Sequence, residues 1–234
     1  FEMNKTELHT RINEAVSAFW ETKQKQLSSS GDSSNRGAVT AGKQLDGFIA
    51  LLKDIAIQQG VPENCIYVSQ AYLPGYFRSS KDWDFLIVTP RKKLAVAIEL
   101  KSQVGSYGNN FNNRTEEAVG SAVDLWTAFR EKQFPDQQAP WIGYLTVVGQ
   151  DEASTSPVKN FEPFFPVRSE FNSASYLDRY RNLCQKLVLE RHYSAAALVC
   201  TKGPGHYAKM SDDTSIEVFI NSFRGYLTGI ADEF

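Results

Sequence analysis

Along residues 6 to 27 apolar side chains return at three- and four-residue steps, as Leu8, Ile12, Val16 and Phe19, and this spacing predicts an amphipathic helix. The segment QLDGFIALLKDIAIQQG, residues 44 to 60, repeats the period and is closed by Gly60, with Pro62 beyond it. The period then changes. CIYVSQAYL, WDFLIVT (83 to 89) and LAVAIELK (94 to 101) are rich in aromatic, Ile and Val residues and predict three strands, the last two joined by the turn PRKK. After an Asn-rich stretch that reads as a loop, RTEEAVGSAVDLWTAFREK (114 to 132) predicts a helix with Ala118, Ala122, Leu125, Trp126 and Phe129 toward the core. WIGYLTVVG, residues 141 to 149, predicts a further strand.

The order helix, strand, strand, strand, helix, strand points to the α/β class, with a central mixed sheet flanked by helices. SPVKNFEPFFPV reads as loop, SYLDRYRNLCQKLVLERHY as a helix, AAALVCT as a short strand and residues 215 to 232 as a closing helix. A single domain over residues 1–234 is expected: an N-terminal helical segment, a Ser- and Gly-rich flexible loop at 28–37, a core at 44–149 and a C-terminal α/β elaboration at 150–234.

The strand AVAIELK begins apolar and ends charged. Successive side chains alternate faces, so Val96, Ile98 and Leu100 point one way and Ala95, Ala97, Glu99 and Lys101 the other. Whether the hairpin pairs Thr89 with Leu94 or Pro90 with Lys93, opposed residue numbers sum to 183, and Asp84 faces Glu99. Two carboxylates so placed repel unless something cationic lies between them, and a divalent metal is the natural solution. Magnesium held by Asp84 and Glu99, with Lys101 beside a bound water, is phosphodiester hydrolysis chemistry. Asp82 competes for the first carboxylate position but lies a step nearer the strand's beginning. The close acidic pair of a retaining glycosidase fits less well, because a neighbouring lysine lowers the pKa that a general acid needs raised.

Composition narrows the setting. A hydrophobic share of 42% and a charged share of 22% are those of a soluble globular protein, and no apolar run is long enough to span a membrane. A net charge of −2 gives no blanket attraction to nucleic acid, so any DNA affinity has to come from local placement of cations. Phe1 and Glu2, ahead of Met3, read as a cloning scar, and nothing after them reads as a secretion signal. Three widely spaced cysteines, Cys65, Cys184 and Cys200, suit a reducing cytoplasm and argue against structural zinc.

WDFLIV followed by AIELK resembles the PD-(D/E)xK nuclease signature. GAVTAGKQLDGF, KDWDFLIV, AIELKSQVGSYGNNFNNRTEEAVGSAVDLWTAFRE, IGYL and KLVLERHYSAAA together are similar to the XhoI family of type II restriction endonucleases, from about residue 36 to the end of the chain. The resemblance implies a restriction-endonuclease-like core. It puts Asp84 and Glu99 at the metal-binding carboxylate positions and Lys101 at the lysine position, with Trp83 where the signature has Pro. It also implies Mg2+, a homodimer cutting both strands of double-stranded DNA at CTCGAG with 5′ overhangs, a cognate DNA methyltransferase in the same system and a bacterial cytoplasm. A repair-type or nonspecific nuclease of the same superfamily is the alternative, and a non-catalytic DNA-binding protein a more distant one.

Asn109, Asn110, Asn112, Asn113 and Arg114 read as the entry to a helix. Capping by Asn113 or Thr115 is the plain reading, and contact with bases or phosphates the functional one. Gln103 continues the charged face and is a candidate for water or phosphate. Glu116 and Glu117 fall in the predicted first turn, where the helix dipole favours acids, or serve near the metal. Asp46, early in the second helix, is a candidate auxiliary carboxylate. Arg78 and Lys81 are phosphate candidates, Arg91 to Lys93 read as a solvated turn and His192 as a helix-end residue. A dimer interface is expected at the helix of residues 173 to 192 or around Phe161, Phe164 and Phe165.

Overall fold

The computed structural model describes residues 3–28 and 43–234. The expected flexible loop, from residue 29 on, and the first two residues lie outside the described part. Helix α1 (Lys5–Ser28) buries Leu8, Ile12, Ala15, Val16 and Phe19, and packs on α2 (Asp46–Gln58) through Phe48, Leu51, Leu52 and Ile55. A six-stranded mixed sheet follows: β1 (Ile66–Tyr67), β4 (Phe85–Val88), β5 (Leu94–Gln103), β6 (Trp141–Gly149), β7 (Ala195–Gly203) and β8 (His206–Ala208), in that spatial order. Strands β5, β6 and β7 run parallel, and the outer pairings are antiparallel. The parallel steps need crossovers, which α3 (Tyr107–Arg130) and, after the single turn of α4 (Glu152–Thr155), α5 (Tyr176–Leu189) provide.

Two cores sandwich the sheet. On one face Phe85, Ile87, Val96, Ile98 and Leu100 pack with α1, α2 and α6 (Ile216–Gly229). On the other, Leu86, Ala97, Ile142 and Tyr144 pack with α3 and α5. Glu99 and Lys101 belong to that second face by alternation, so the charged end of β5 looks toward α3. Among the described residues no helix is long and apolar enough to cross a membrane. Cys65, Cys184 and Cys200 are unpaired and buried.

Several sequence expectations need correction. CIYVSQAYL is not one strand: the chain breaks at Gln70, which takes φ 50°, giving β1 and then β2 (Tyr72–Pro74). WDFLIVT (83 to 89) shortens to β4, which starts only at Phe85, and β3 (Ser80–Asp82), just ahead of it, pairs with β2 in a separate hairpin. The Asn-rich stretch is not a loop. It forms the first two turns of α3, which begins at Tyr107, so neither Asn113 nor Thr115 caps the helix and Glu116 and Glu117 lie beyond its first turn. Its N-cap is Ser106, in the left-handed region at φ 47° and without a side-chain capping bond. The helix expected at 173 to 192 is shorter, and its apolar side chains Leu177, Tyr180, Leu183 and Leu187 are buried in the second core. Strand β8 has no counterpart in the sequence expectation.

Candidate active site

The hairpin of β4 and β5 creates the site. Phe85 pairs with Ile98, Leu86 with Ala97 and Ile87 with Val96, so residue numbers do sum to 183 across the stretch that leads to Asp84 and Glu99. The turn itself differs from both expected pairings. Lys92 N–H donates to Thr89 O at 2.8 Å, Thr89 N–H donates to Lys93 O at 2.9 Å, and Val88 pairs with Leu94. Ala95 is thereby the extra residue of a bulge, which turns it to the face of Val96 rather than that of Ala97.

Asp84 sits just outside the β4 ladder and is fixed to its partner strand by one bond: the N–H of Leu100 donates to Oδ2 at 2.7 Å. Glu99 is only 2% exposed, which ordinarily forbids a lone carboxylate. Two lysines offset the burial. Lys101 Nζ lies 2.6 Å from Oε1, and Lys81 Nζ, reaching over from β3, lies 2.7 Å from Oε2. Lys81 also sits 5.1 Å over the ring of Trp83, itself buried in the second core.

Burial first, and the charge of Glu99 second, push the Asp84 carboxyl up to about 6; the Leu100 N–H and the two lysines act against this and lose. Burial is the largest influence on Lys101 and acts to lower its pKa, but the combined charge and hydrogen bonding of Glu99, with Asp84 and Glu117, raise it above the usual lysine value. Lys101 is therefore a fixed cation between Glu99 and the rim of α3, where Glu117 Oε2 stands 4.0 Å away. Arg114 holds that same oxygen at 2.9 Å and reaches Ser102 O at 3.4 Å, joining α3 to the end of β5.

A cleft of about 540 Å³ opens beside this cluster, lined by Lys81, Glu99, Lys101, Glu116 and Glu117, with Phe77 and Arg78 at another wall. Of the residues singled out in the sequence, the structure thus brings together Arg78, Lys81, Asp84, Glu99, Lys101, Arg114, Glu116 and Glu117. Gln103 is not among them: it is buried, and its Nε2 donates to Gly105 O at 2.7 Å, so it serves the β5–α3 loop instead of the charged face. Asp82 is excluded as the first carboxylate, since its Oδ1 receives the Ala71 N–H at 2.8 Å on the β2–β3 side. Asp46 begins α2, whose apolar residues Phe48, Leu51 and Leu52 pack in the first core. Asn109, Asn112 and Asn113 are exposed on α3, whereas Asn110 donates to Ser106 O at 2.9 Å.

Sequence reasoning missed two features. Lys81 is a direct partner of Glu99; strand alternation hides this, because the break before β4 sends β3 off in a second hairpin. Asp124, midway along α3, is buried and accepts the N–H groups of Tyr76 and Phe77 at 2.8 Å each and Arg78 Nε at 2.8 Å. These bonds outweigh burial and hold its carboxyl below the usual range. No local signal marks Asp124, which lies more than forty residues along the chain from the donors it holds.

The chain is 46% identical over 212 residues to the type II restriction enzyme BstVI of Geobacillus stearothermophilus, covering 86% of this chain and 93% of that one. It is 43% identical over 182 residues to the type II restriction enzyme XhoI of Xanthomonas vasicola, covering 75% and 73%. For the type II restriction enzyme AbrI of Azospirillum brasilense the identity is 44% over 160 residues, covering 63% and 72%. No solved structure matches the chain. The family model of restriction endonuclease XhoI matches residues 23–209, a span that takes in the whole β4–β5 hairpin, the lysines that neutralise Glu99 and all of α3. From the end of α1 to β8, then, the chain matches one family model throughout, and it belongs to the XhoI family of restriction endonucleases.

Proposed function

We propose that this protein is a Mg2+-dependent type II restriction endonuclease with Asp84 and Glu99 as metal-binding residues and Lys101 as the catalytic cation. The observation that carries the reading is the hairpin register: it places a second carboxylate opposite Glu99 and a lysine 2.6 Å from it. The donor set fits magnesium. Mg2+ takes one or two protein carboxylates and fills its remaining positions with water and phosphate oxygens. Among the described residues no cluster of three His, Cys, Asp or Glu exists that would suit a metal enclosed by protein alone. Asp84, short of compensating charge, is the carboxylate that a cation would favour most.

Bound there, the ion would acidify a water and neutralise charge growing on the phosphate. The chain's own residues do the rest. Lys101, kept protonated by Glu99, orients the attacking water and faces the charge that builds on the phosphate oxygens. Lys81 shares the charge of Glu99, and the Leu100 N–H holds Asp84 through one of its oxygens. Asn109, Asn112 and Asn113 form an exposed amide surface on the helix that borders the cleft and are the candidates for reading bases, with Arg114 bracing the rim.

The finer assignments belong to the same proposal: double-stranded CTCGAG cut to 5′ overhangs, a homodimer matching the palindrome, a methyltransferase that protects the host site and residence in the bacterial cytoplasm. The test is a digest of long duplex DNA with Mg2+, followed by sequencing of the ends. Discrete ends containing TCGA are expected, with no cutting by Glu99→Ala or Lys101→Ala. A smear of unrelated ends refutes site specificity, and full activity of either variant refutes the mechanism.

A further inference from the structure

The β2–β3 hairpin carries an unusual tip. Residues 75–79 place Tyr76 and Phe77 56% and 71% exposed, ring edge against ring face at 5.0 Å. Tyr72, on the same hairpin, is 60% exposed. Exposed aromatic rings on a free loop would be unremarkable, but this tip is not free. Asp124 clamps three consecutive residues of it to α3, with both backbone N–H groups and the Arg78 guanidinium as donors. The approach is so close that a β-carbon at Gly75 would collide with the Asp124 carboxylate. A buried charge has been committed to holding two apolar rings in water.

The tip also has an address. Phe77 and Arg78 line the same cleft as Glu99 and Lys101, and the strand that leaves the tip delivers Lys81 to Glu99. Whatever enters the cleft to meet Glu99 and Lys101 meets the Phe77 ring at the same time. Because the clamp fixes the backbone that carries the ring, and Tyr76 packs against the ring itself, less conformational entropy is lost when it is covered.

Resting on the nuclease reading, we infer that Tyr76 and Phe77 form a rigid aromatic wedge that stacks on a nucleobase beside the scissile phosphate, setting the DNA's position over Asp84 and Glu99. Tyr76 supports Phe77 edge-on, and Arg78 serves the clamp and so leaves the contact to the rings. Phe77 is a positioning and specificity residue, not a catalytic one.

The probe is a duplex built on the sequence found at the mapped cut ends, with 2-aminopurine replacing each purine near the cut in turn, titrated in calcium. With wild-type protein, emission from one position next to the cut changes on binding. Phe77→Ala should abolish that change and weaken binding about 5- to 100-fold, the range expected for losing one base–aromatic stack. Phe77→Trp should restore both. Thermal midpoint and oligomeric state should not move in either variant, since the ring touches solvent. Wild-type protein that cuts the duplex, beside a Phe77→Ala variant that binds, cuts and perturbs 2-aminopurine equally well, overturns the wedge and leaves the nuclease reading intact. A Phe77→Ala variant whose self-association changes without DNA also overturns it, making the rings a contact between copies. Wild-type protein that cuts no duplex refutes the nuclease reading, and the wedge with it.

Discussion

Replacing Asp84 with Asn should abolish cleavage and, without metal, make the protein more stable. The Asp84 carboxyl stands at about 6 against an ordinary value of 3.8, through burial and the facing Glu99. A carboxyl raised in the folded state favours folding while both states hold the proton, and this stability is lost as pH rises through the folded value. Above pH 6 the native state therefore carries a charge it disfavours. A shift of about two units at roughly 1.36 kcal/mol each gives about 2–3 kcal/mol of stored destabilisation. Asn removes the charge while its carbonyl still accepts the Leu100 N–H, and its amide can donate to Glu99. The lysines lose a partner, but their attraction to Asp84 ranks below the two effects that raise it.

For a domain of this size about 2–3 kcal/mol corresponds to roughly 4–12 °C in midpoint. The assay is thermal unfolding of both proteins in EDTA, at pH 5 and at pH 8. Asp84→Asn should melt higher at pH 8 and lose about half of that advantage at pH 5, where the folded wild-type carboxyl is protonated but the unfolded one is still mostly ionised. Saturating Mg2+ should narrow or reverse the gap, because a ligand that binds only the folded wild type stabilises it by mass action. An Asn variant no more stable than wild type at pH 8, or one whose gain ignores pH, refutes the reasoning.

Lys81→Met leaves the buried Glu99 with a single cation and should lower stability by about 1–3 kcal/mol, read as a shift in urea midpoint; an unchanged midpoint would show that Lys101 suffices. Asp124→Ala should cost about 2–4 kcal/mol at pH 7 by orphaning three donors. Since the Asp124 carboxyl is held low, that difference should persist above pH 4 and fade only as pH falls through its depressed value, in melts followed down to pH 3. Asn109→Ala, Asn112→Ala or Asn113→Ala should reduce discrimination between cognate and near-cognate duplexes by about 1–3 kcal/mol for a base contact, or flatten the salt dependence of binding for a phosphate contact. Asn110→Ala should instead weaken the start of α3 with discrimination unchanged, because its amide is bound to Ser106 O.

The β4–β5 hairpin was legible because strand periodicity of two and a short turn leave few registers open. The bulge at Ala95 was not, since nothing in LAVAIELK distinguishes a residue that pairs from one that is skipped. The skip and the different turn offset each other, so Asp84 still faces Glu99. The clamp on the β2–β3 tip was illegible for a different reason: its strands have three residues each, too short for any period, and their stability comes from Asp124 on a distant helix.

The start of α3 shows how the same residues change meaning with their secondary structure. Asn is a poor helix former, and four of them in five positions outweighed the apolar period. Yet Tyr107, Phe111, Ala118, Ala122 and Leu125 are one buried stripe at helical spacing, and Tyr107 anchors its end by donating to Asp151 Oδ2 at 2.7 Å. Packing of the two rings overrides the propensity of the residues between them. Once these turns are helical, the amides no longer form an adaptable loop. Asn109, Asn112, Asn113 and Glu116 recur at three- and four-residue steps, forming one stripe that runs down the helix from its exposed start to the cleft wall at Glu116. On the proposed reading, a stripe of side chains on this helix, starting beside the strand that carries Glu99 and Lys101, would meet DNA at a fixed angle and a fixed distance from the cut. That coupling between where bases are read and where the backbone is broken is what a site-specific nuclease requires, and a flexible loop could not supply it.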